Sequence, residues 1–307
     1  MHTLSKDLQL YASGRRGRPA LIYKPQMNLL SPSLAELFEA SGCDAETTAF
    51  LVRSRNISLW RLMVADFLSL FLSRTTAHGF VGRGMMFVYS TEQIRCLLRP
   101  PHAPPTSPLP ADFRFESLLD IGAGDGGVTA KIAPLFKRVC ATEFSGSMRW
   151  RLRCRGYEVL PHDNPFYMNT PGKALERRYF DVISCNNVLD RADKPQTLLQ
   201  EMRDSLKPNG FLVLAVVLPW CPFVEDGPRQ RKPSEILPME GGECCRGASF
   251  EQSLSKLVEN VLVPMGFELI RWTRLPYLCE GNLRIEYALL NDAVFILRKR
   301  DDFERPA

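Results

Sequence analysis

The chain lacks the segments that mark a membrane-spanning or secreted protein. Its longest apolar run, Leu59 to Leu72, carries Arg61 and Asp66 and is too short to cross a bilayer. The N-terminus has no continuous apolar core of the kind found in signal peptides. The run therefore predicts a buried helix, and we expect no transmembrane segment and no targeting segment.

Metal-binding cysteine motifs and strong charge are also missing. None of the nine cysteines forms a C-x-x-C pair, so we expect no metal site and mostly structural, reduced thiols. The net charge of +5 is mild and comes from local clusters, whereas nucleic-acid-binding domains show a basic stripe. We therefore expect no nucleic-acid partner, and we expect a cytoplasmic monomer.

Prolines are concentrated in residues 99–110, where they fill six of twelve positions. This composition excludes a helix or a central strand and predicts a stiff, extended connector. Upstream, Ser33 and Ser90 each begin a capping-box pattern that predicts a helix start. The upstream region is either a packing appendage or a wall of the substrate site. The chain is thus divided into a flexible basic tail (1–27), an N-terminal helical region (28–98), the connector (99–110) and a larger domain (111–300).

The larger domain alternates strands and helices, a pattern typical of a parallel sheet with both faces covered. A capping box at Ser249 predicts a helix that ends near Gly266, and two β-rich runs close the domain. The predicted strands cover 116–121, 138–142, 157–160, 180–185, 211–218, 267–275 and 292–299, and the earlier helices cover 127–136, 146–154 and 195–206. We predict an α/β fold with a Rossmann-like, seven-stranded sheet, mostly parallel with an antiparallel closing strand.

A glycine-rich turn follows the first of these strands. An apolar run ends in Asp120, and glycines follow at positions 122, 124 and 126. Such a turn leaves bare backbone for a nucleotide-like ligand at the start of a helix. Gly122, Gly124 and Gly127 also satisfy G-x-G-x-x-G, so the turn alone is compatible with a dinucleotide or with a methyl donor.

Acids and amides follow the next three strands. Glu143 lies 23 residues after Asp120, where an acid accepts both hydroxyls of a ribose. Asp163 follows the third strand and is predicted to contact an adenine amine. Asn187 and Asp190 follow the fourth strand, at the edge where open α/β sheets bind ligands.

Residues 205–212, SLKPNGFL, resemble the "LkPgG" signature of S-adenosylmethionine-dependent methyltransferases, which dinucleotide enzymes lack. Together with the closing strand pair, this segment favours a class I methyltransferase that binds S-adenosylmethionine. Asp120 is then predicted to bind the ammonium of the methionine tail, directly or through water. Gly122 and Gly124 let the backbone lie against the tail and the ribose.

Several longer segments resemble the DREV family of protein-histidine methyltransferases, over about residues 59 to 298. They are SRTTAHGFVGRGMMFVYS (73–90), LLDIGAGDG, ATEFSGSM (141–148), DVISCNNVLDRADKPQTLL (181–199), VVLPWCPFVE (216–225), KPSEIL (232–237), TRLPYLCEG (273–281) and NDAVFIL (291–297). Of these, TRLPYLCEG and the segment VLPWCPFVE are not general methyltransferase features.

The resemblance implies transfer of a methyl group from S-adenosylmethionine, leaving S-adenosylhomocysteine. The acceptor it implies is the pros nitrogen of histidine in His-x-His sequences of proteins, where x is small. By position, Glu143, Asn187 and Tyr277 correspond to cofactor-contacting residues of the family. Animal relatives carry an apolar N-terminal segment that is missing here, so membrane association is implied by resemblance alone. Residues 282–287 lack the tyrosine-rich character of the family, so its substrate contacts there are not transferred.

A neutral imidazole is already a nucleophile, so the site mainly has to align the reacting atoms. Attack by the pros nitrogen requires the proton on the tele nitrogen, and a carboxylate that accepts from that N–H would fix the tautomer. Asp190 is our first candidate for this carboxylate, and Asn187 is predicted to act beside it in catalysis. Glu280 and Glu286 are the alternative carboxylates. Tyr277, Trp220 and Phe223 are candidates for a pocket that binds the second histidine, with core packing as the alternative. A methyltransferase of RNA or small molecules, and a catalytically silent S-adenosylmethionine-binding module, stay open as alternatives.

Overall fold

One large sheet organises the chain in the computed structural model, which describes residues 20–55, 64, 84–169, 172, 174–226, 229–239, 247–281 and 287–300. The strands are β1 Met86–Phe87, β2 Phe115–Ile121, β3 Phe136–Ala141, β4 Glu158–Val159, β5 Tyr167–Met168, β6 Glu176–Arg177, β7 Phe180–Asn186, β8 Leu206–Val217, β9 Val224–Asp226, β10 Arg229–Arg231, β11 Phe267–Glu280 and β12 Tyr287–Lys299. The α-helices are α1 Pro32–Glu36, α2 Ala45–Arg55, α3 Thr91–Leu97, α4 Thr129–Ile132, α5 Gly146–Cys154, α6 Pro195–Asp204 and α7 Phe250–Leu257. Single turns of other helix types cover Met27–Leu29, Ala133–Leu135, Leu189–Arg191 and Val258–Leu262. The predicted helix over Leu59–Leu72 falls outside the described residues apart from Val64.

The main sheet has the order β1-β11-β12-β8-β7-β2-β3-β4. The strands from β8 to β4 pair in parallel, and β12 lies antiparallel between β8 and β11. This order confirms the predicted class I methyltransferase fold with its antiparallel closing strand. The predicted count of seven strands is one short, because the two-residue strand β1 pairs with the outer edge of β11.

Apolar side chains cover both faces of the central strands, as expected for a parallel sheet packed between helices. Because neighbouring residues of a strand point to opposite faces, each strand contributes to two cores. Leu119, Ile183 and Leu212 belong to the larger core, and Leu118, Val182 and Val213 belong to the second. These two cores hold the carboxyl ends of the strands, where the site lies, in fixed positions.

Helix starts follow the predicted capping chemistry in two of three places. The side chains of Ser90 and Ser249 each accept a hydrogen bond from the backbone N–H of a glutamine three residues later, and the side-chain oxygen of that glutamine accepts one from the backbone N–H of the serine. The box predicted at Ser33 is wrong, because the helix starts one residue earlier at Pro32, whose fixed φ suits the first helical position. The predicted helix over 127–136 is also wrong in length. Its α-helical part ends at Ile132, and Pro134 lies in a tighter turn that follows.

The proline-rich connector folds as successive turns and is attached to the sheet. The N–H of Ala103 donates to Pro100 O at 3.1 Å, and that of Ser107 to Pro104 O at 2.9 Å. Arg271 of β11, 2% exposed, donates to four carbonyls at the start of the connector and the end of α3. The acceptors are Leu97 O, Arg99 O, Pro100 O and Pro101 O. The extended conformation that we expected is therefore replaced by a chain of turns fixed to β11.

The region upstream of the connector shares its core with the sheet. Tyr89 and Ile94 pack in the second core with Val213 and Val294 of the sheet. The backbone N–H of Gln26, within the predicted tail, donates to a buried carboxylate of α7 at 2.9 Å. Residues 1–19 lie outside the described part of the chain.

Two further sequence expectations concern membranes and thiols. No helix among the described residues is long and apolar enough to cross a membrane. Cys221 is part of a disulfide, which corrects the expectation of reduced thiols at that position. The cysteines described with free thiols are Cys43, Cys96, Cys140, Cys154, Cys185 and Cys279.

Candidate active site

The glycine turn lies at the end of β2, between the neighbouring strands β3 and β7. The strand order changes direction here, and this is where open α/β sheets bind ligands. Gly122 has φ 66° and Gly124 has φ 56°, a region that favours glycine. A Cβ built on Gly122 would lie 2.5 Å from Val188 Cγ2. The turn therefore lies directly against the segment that follows β7.

Glu143 lies beside the glycine turn. Its Oε2 accepts from the N–H of Gly124 at 3.0 Å, and its Oε1 accepts from the N–H of Ser145 at 2.9 Å. The side chain is half-buried, and each carboxylate oxygen keeps a lone pair for a further donor. This arrangement presents two oriented acceptors to a pair of neighbouring hydroxyls.

Asp120 is buried beneath the turn, and each of its oxygens has a donor from the protein. Its two oxygens accept from the hydroxyls of Ser184 and Thr129, each at 2.6 Å. Burial raises the pKa of this carboxyl to about 6, while the two hydroxyls oppose the shift. Asp120 therefore joins β2 to β7 and to α4. Its contact with a ligand ammonium stays a prediction.

Four buried acceptor oxygens near the end of β7 have no hydrogen-bond partner among the described residues. They are the Oδ1 atoms of Asn186, Asn187, Asp190 and Asp292. Asp190 is 3% exposed and Asp292 is 0% exposed. An unpaired buried acceptor costs about 1–3 kcal/mol, so this cluster fits a ligand that brings N–H groups or positive charge.

Hydrogen bonds from two amide side chains connect this cluster to other strands. Asn187, with φ 57°, donates from Nδ2 to Asp292 Oδ2 of β12 at 2.7 Å. Asn186 donates from Nδ2 to the hydroxyl of Tyr89 at 3.1 Å. Because both amides give their nitrogen to the protein, each presents an oxygen that is still unpaired.

Asp190 has one paired oxygen and one unpaired oxygen. Its Oδ2 lies 2.9 Å from Nη1 of Arg191, whose guanidinium lies 3.7 Å from the ring centroid of Phe223. The N–H of Phe223 donates to the Asp190 carbonyl at 3.0 Å. Burial raises the pKa of the Asp190 carboxyl, and Arg191 opposes the shift. Phe223 thus supports the pair, and its contact with an acceptor stays a prediction.

Tyr277 reaches the glycine turn through β1. Its hydroxyl lies 2.6 Å from Met86 Sδ, and Met86 Cε lies 3.4 Å from a Cβ built on Gly124. Tyr277 is 9% exposed, and burial raises the pKa of its hydroxyl. The upstream region therefore supplies a wall of the site, which favours one of the two roles left open by the sequence.

Other predicted residues lie elsewhere. Trp220 is 1% exposed within the larger core, which favours the core-packing alternative, and its contact with an acceptor stays a prediction. Asp163 lies exposed in the loop after β4, and its adenine contact stays a prediction. Glu280 accepts from the N–H groups of Gly84 and Met85 at 2.8 and 3.3 Å, which gives it a structural role beside β1. Glu286 lies outside the described residues.

Sequence reasoning missed Asp292, Asn186 and Tyr89. A signal for Asp292 was present, because a carboxylate within the apolar run Leu289–Leu297 is unusual for a buried strand. No such signal marks the pairing of Asn186 with Tyr89, which are far apart in the chain. Within the described residues, no group of three or more histidine, cysteine or acidic side chains is placed to hold a metal ion.

A family model described as DREV methyltransferase matches residues 22–299. The chain belongs to the DREV methyltransferase family. A similar relative is the mitochondrial ubiquinone biosynthesis O-methyltransferase of Schizosaccharomyces pombe. It is 29% identical over 109 residues, which cover 34% of the DREV chain and 39% of the relative. The chain spans less than half the length of the curated relatives it matches.

Solved structures similar to the DREV chain include two methyltransferases. The N-methyltransferase NodS of Bradyrhizobium japonicum WM9, in complex with S-adenosyl-L-homocysteine, is 18% identical, with a TM-score of 0.36 over 61% of the DREV chain and 79% of NodS. An S-adenosylmethionine-dependent methyltransferase from Clostridium acetobutylicum ATCC 824 is 14% identical, with a TM-score of 0.36 over 62% and 86% of the two chains.

The cofactor of this DREV methyltransferase is S-adenosylmethionine. The described residues fit its chemistry. Glu143 presents two acceptors that suit a ribose diol, and the glycine turn allows close approach of a ligand to the backbone. The unpaired oxygens near β7 suit a ligand that carries an ammonium and a sulfonium.

Proposed function

We propose that this DREV chain methylates the pros nitrogen of histidine in His-x-His sequences of proteins, where x is a small residue. The observation that carries the proposal is the unpaired, buried Oδ1 of Asp190, in the segment after β7 whose Val188 lies against the glycine turn. A carboxylate oxygen in that position suits an N–H donor on a neutral, flat acceptor, which an imidazole provides. The family's known acceptor class supports the same reading.

S-adenosylmethionine, when bound, supplies a methyl group on a positively charged sulfur. Asp190 accepts the N–H of the tele nitrogen, which leaves the pros nitrogen unprotonated and able to attack. Arg191 holds Oδ2 of Asp190, so the carboxylate presents Oδ1 in a fixed direction. As the imidazole gains positive charge, the same carboxylate stabilises it, and this interaction is strong because the site is buried. Positioning of this kind supplies much of the rate enhancement.

The test uses labelled methyl donor and peptides that differ only in His-x-His against Ala-x-His. We expect label on the pros nitrogen of the first peptide and none on the second, with the methylated nitrogen assigned by NMR. Asp190→Asn should bind S-adenosylhomocysteine like the parent but lose about 100-fold or more in kcat, because an amide can turn its N–H₂ to the imidazole. Full turnover by Asp190→Asn would exclude the orienting role.

A small molecule with a hydroxyl acceptor is the second candidate, favoured by the similarity to an O-methyltransferase over 109 residues. Asp190 would then act as the base that removes the hydroxyl proton. Transfer to phenols or to RNA, with none to His-x-His peptides, would support this class. Cofactor binding without transfer to any acceptor would indicate a silent binding module.

A further inference from the structure

Asp292 is a buried carboxyl group to which neither the sequence nor the proposed mechanism assigns a role. It lies in β12, paired with Val217 of β8 and Leu275 of β11, and it is 0% exposed. The backbone of Asp292 therefore lies between two neighbouring strands in the interior of the sheet, and its side chain is buried on one face. Burial of such a group is costly unless its partners compensate, and its Oδ1 is unpaired.

The other oxygen of Asp292 fixes the side chain of Asn187. Oδ2 accepts from Asn187 Nδ2 at 2.7 Å, and the Asn187 backbone is itself fixed by its N–H donating to Ala215 O at 2.9 Å. A carboxylate oxygen only accepts, so the amide must give its nitrogen to Asp292 and turn its oxygen away. Burial and the charge of Asp190 raise the pKa of Asp292. The neutral carboxyl also has an O–H donor, and the same amide orientation holds in that form when the oxygen that meets Asn187 Nδ2 is the carbonyl oxygen.

The orientation of the Asn187 amide decides what the site presents to a ligand. With Nδ2 engaged, Asn187 Oδ1 is the buried and unpaired atom, like Oδ1 of Asp190. Without Asp292 the amide can turn, which would place an N–H₂ group against a ligand that is itself a donor. Asp292 therefore decides whether the amide oxygen or the amide nitrogen of Asn187 faces the ligand.

We propose that Asp292 is a positioning residue that holds Asn187 so that its amide oxygen faces an N–H donor bound in the site. The donor is either the amino group of the cofactor or an N–H of the acceptor peptide other than the tele N–H that Asp190 accepts. The second source depends on the proposed function, whereas the first depends only on the cofactor. The two are distinguished by measuring S-adenosylhomocysteine binding and the KM of a His-x-His peptide separately.

A double-mutant cycle tests whether Asp292 acts through Asn187. Asp292→Ala and Asn187→Ala should each weaken S-adenosylhomocysteine binding, or raise the peptide KM, by about 10- to 100-fold. The double variant should bind no more weakly than Asn187→Ala alone, because the second change removes what the first disturbs. Calorimetry with S-adenosylhomocysteine needs no turnover, so it remains informative if no His-x-His peptide is a substrate.

Asn291→Ala is the matched control, since Asn291 is a buried polar neighbour in β12 whose amide oxygen accepts from Arg274 at 3.2 Å. It should leave cofactor and peptide binding unchanged, with thermal unfolding measured for every variant. If Asp292→Ala does not fold, Asp292→Asn keeps the volume but lets the amide pair form either way round. Asp292→Asn should weaken S-adenosylhomocysteine or peptide binding less than Asp292→Ala does. In the Asn187→Ala background it should cause no further weakening. Additive losses, equal losses in Asn291→Ala, or no change in either measurement would overturn the proposal.

Discussion

Gly122 combines two constraints that a larger residue cannot satisfy together. Its φ of 66° strains any side chain, and a Cβ would lie 2.5 Å from Val188 Cγ2. We expect Gly122→Ala to lower the free energy of unfolding by about 1–3 kcal/mol. It should also weaken S-adenosylhomocysteine binding in calorimetry, because the turn and the segment after β7 must move apart.

Gly156→Ala separates the two causes. Gly156 has a similar φ of 82°, but nothing lies within 4 Å of its added Cβ. Gly156→Ala should lower the free energy of unfolding through backbone strain alone, and it should bind S-adenosylhomocysteine as the parent does. Equal binding by both variants would show that the contact with Val188 does not shape the site.

Asp120 should make stability depend on pH in the opposite sense to a surface carboxylate. Its pKa rises from 3.8 to about 6 on folding, so the folded state binds the proton more tightly. The stabilising contribution is complete below about pH 4 and is lost as pH rises through about 6. The shift corresponds to about 3 kcal/mol at about 1.4 kcal/mol per pKa unit.

Asp120→Asn removes this titration while keeping one acceptor oxygen for a hydroxyl. Denaturant unfolding at several pH values should show the parent losing about 3 kcal/mol relative to the variant between about pH 4 and pH 7. A difference that stays constant over this window would mean that Asp120 is ionised throughout.

Residues close to the glycine turn in sequence were easier to predict than those brought in by the sheet. Glu143 was predicted from its position at the end of the second strand, and the structure places it on the turn at 3.0 Å from Gly124 N. Asp292 meets Asn187 across 105 positions in the chain, and no local pattern records that contact. Trp220 was a candidate for the pocket with core packing as the alternative, and its exposure of 1% favours the alternative.

At the scale of elements, Arg271 attaches the connector to β11. Its planar guanidinium donates to four carbonyls while 2% exposed, and a lysine cannot reproduce that fork. We expect Arg271→Lys to lower the free energy of unfolding by about 3 kcal/mol in urea titrations. Proteolysis within residues 99–110 should become faster.

Arg114→Lys is the control for this prediction. Arg114 is exposed and donates to Ala111 O and Phe113 O at 2.8 and 2.7 Å, so it also binds carbonyls near the connector. Because solvent can replace those hydrogen bonds, Arg114→Lys should change the free energy of unfolding by no more than about 0.5 kcal/mol. If the two variants lose similar stability, burial of the Arg271 guanidinium contributes little.

Local chemistry at helix ends predicted two of three helix starts, whereas a short strand that depends on long-range pairing was missed. The capping boxes at Ser90 and Ser249 are read directly from residues three apart. Strand β1 has two residues and exists because Met86 and Phe87 pair with Cys279 and Leu278 of β11. Two residues are too few for a periodic pattern, so no strand is predicted there from the sequence.

At the scale of the whole molecule, the upstream region and the sheet form one packed unit. Trp272 of β11 shows this directly, since its Nε1–H donates to Leu34 O at 2.8 Å and its ring centroid lies 4.9 Å from that of Phe38. Both partners precede the connector, whereas Trp272 lies 162 residues after its end at Pro110. The connector therefore joins parts of one core, and the division into separate regions has no counterpart in the packing.

This shared core predicts a single cooperative unfolding transition. Tryptophan fluorescence reports partly on the contact of Trp272 with the upstream helix, and far-ultraviolet circular dichroism reports mainly on the sheet and helices. The two signals should change at the same urea concentration, and S-adenosylhomocysteine should shift both by the same amount, because a ligand that binds only the folded state stabilises all of it. A chain that begins at residue 111 should show no cooperative transition, since it lacks β1, α3 and the carbonyls that Arg271 binds. Fluorescence that changes first would mean that the upstream region detaches from a sheet that stays folded, and the wall formed by Met86 would then open independently of the rest of the site.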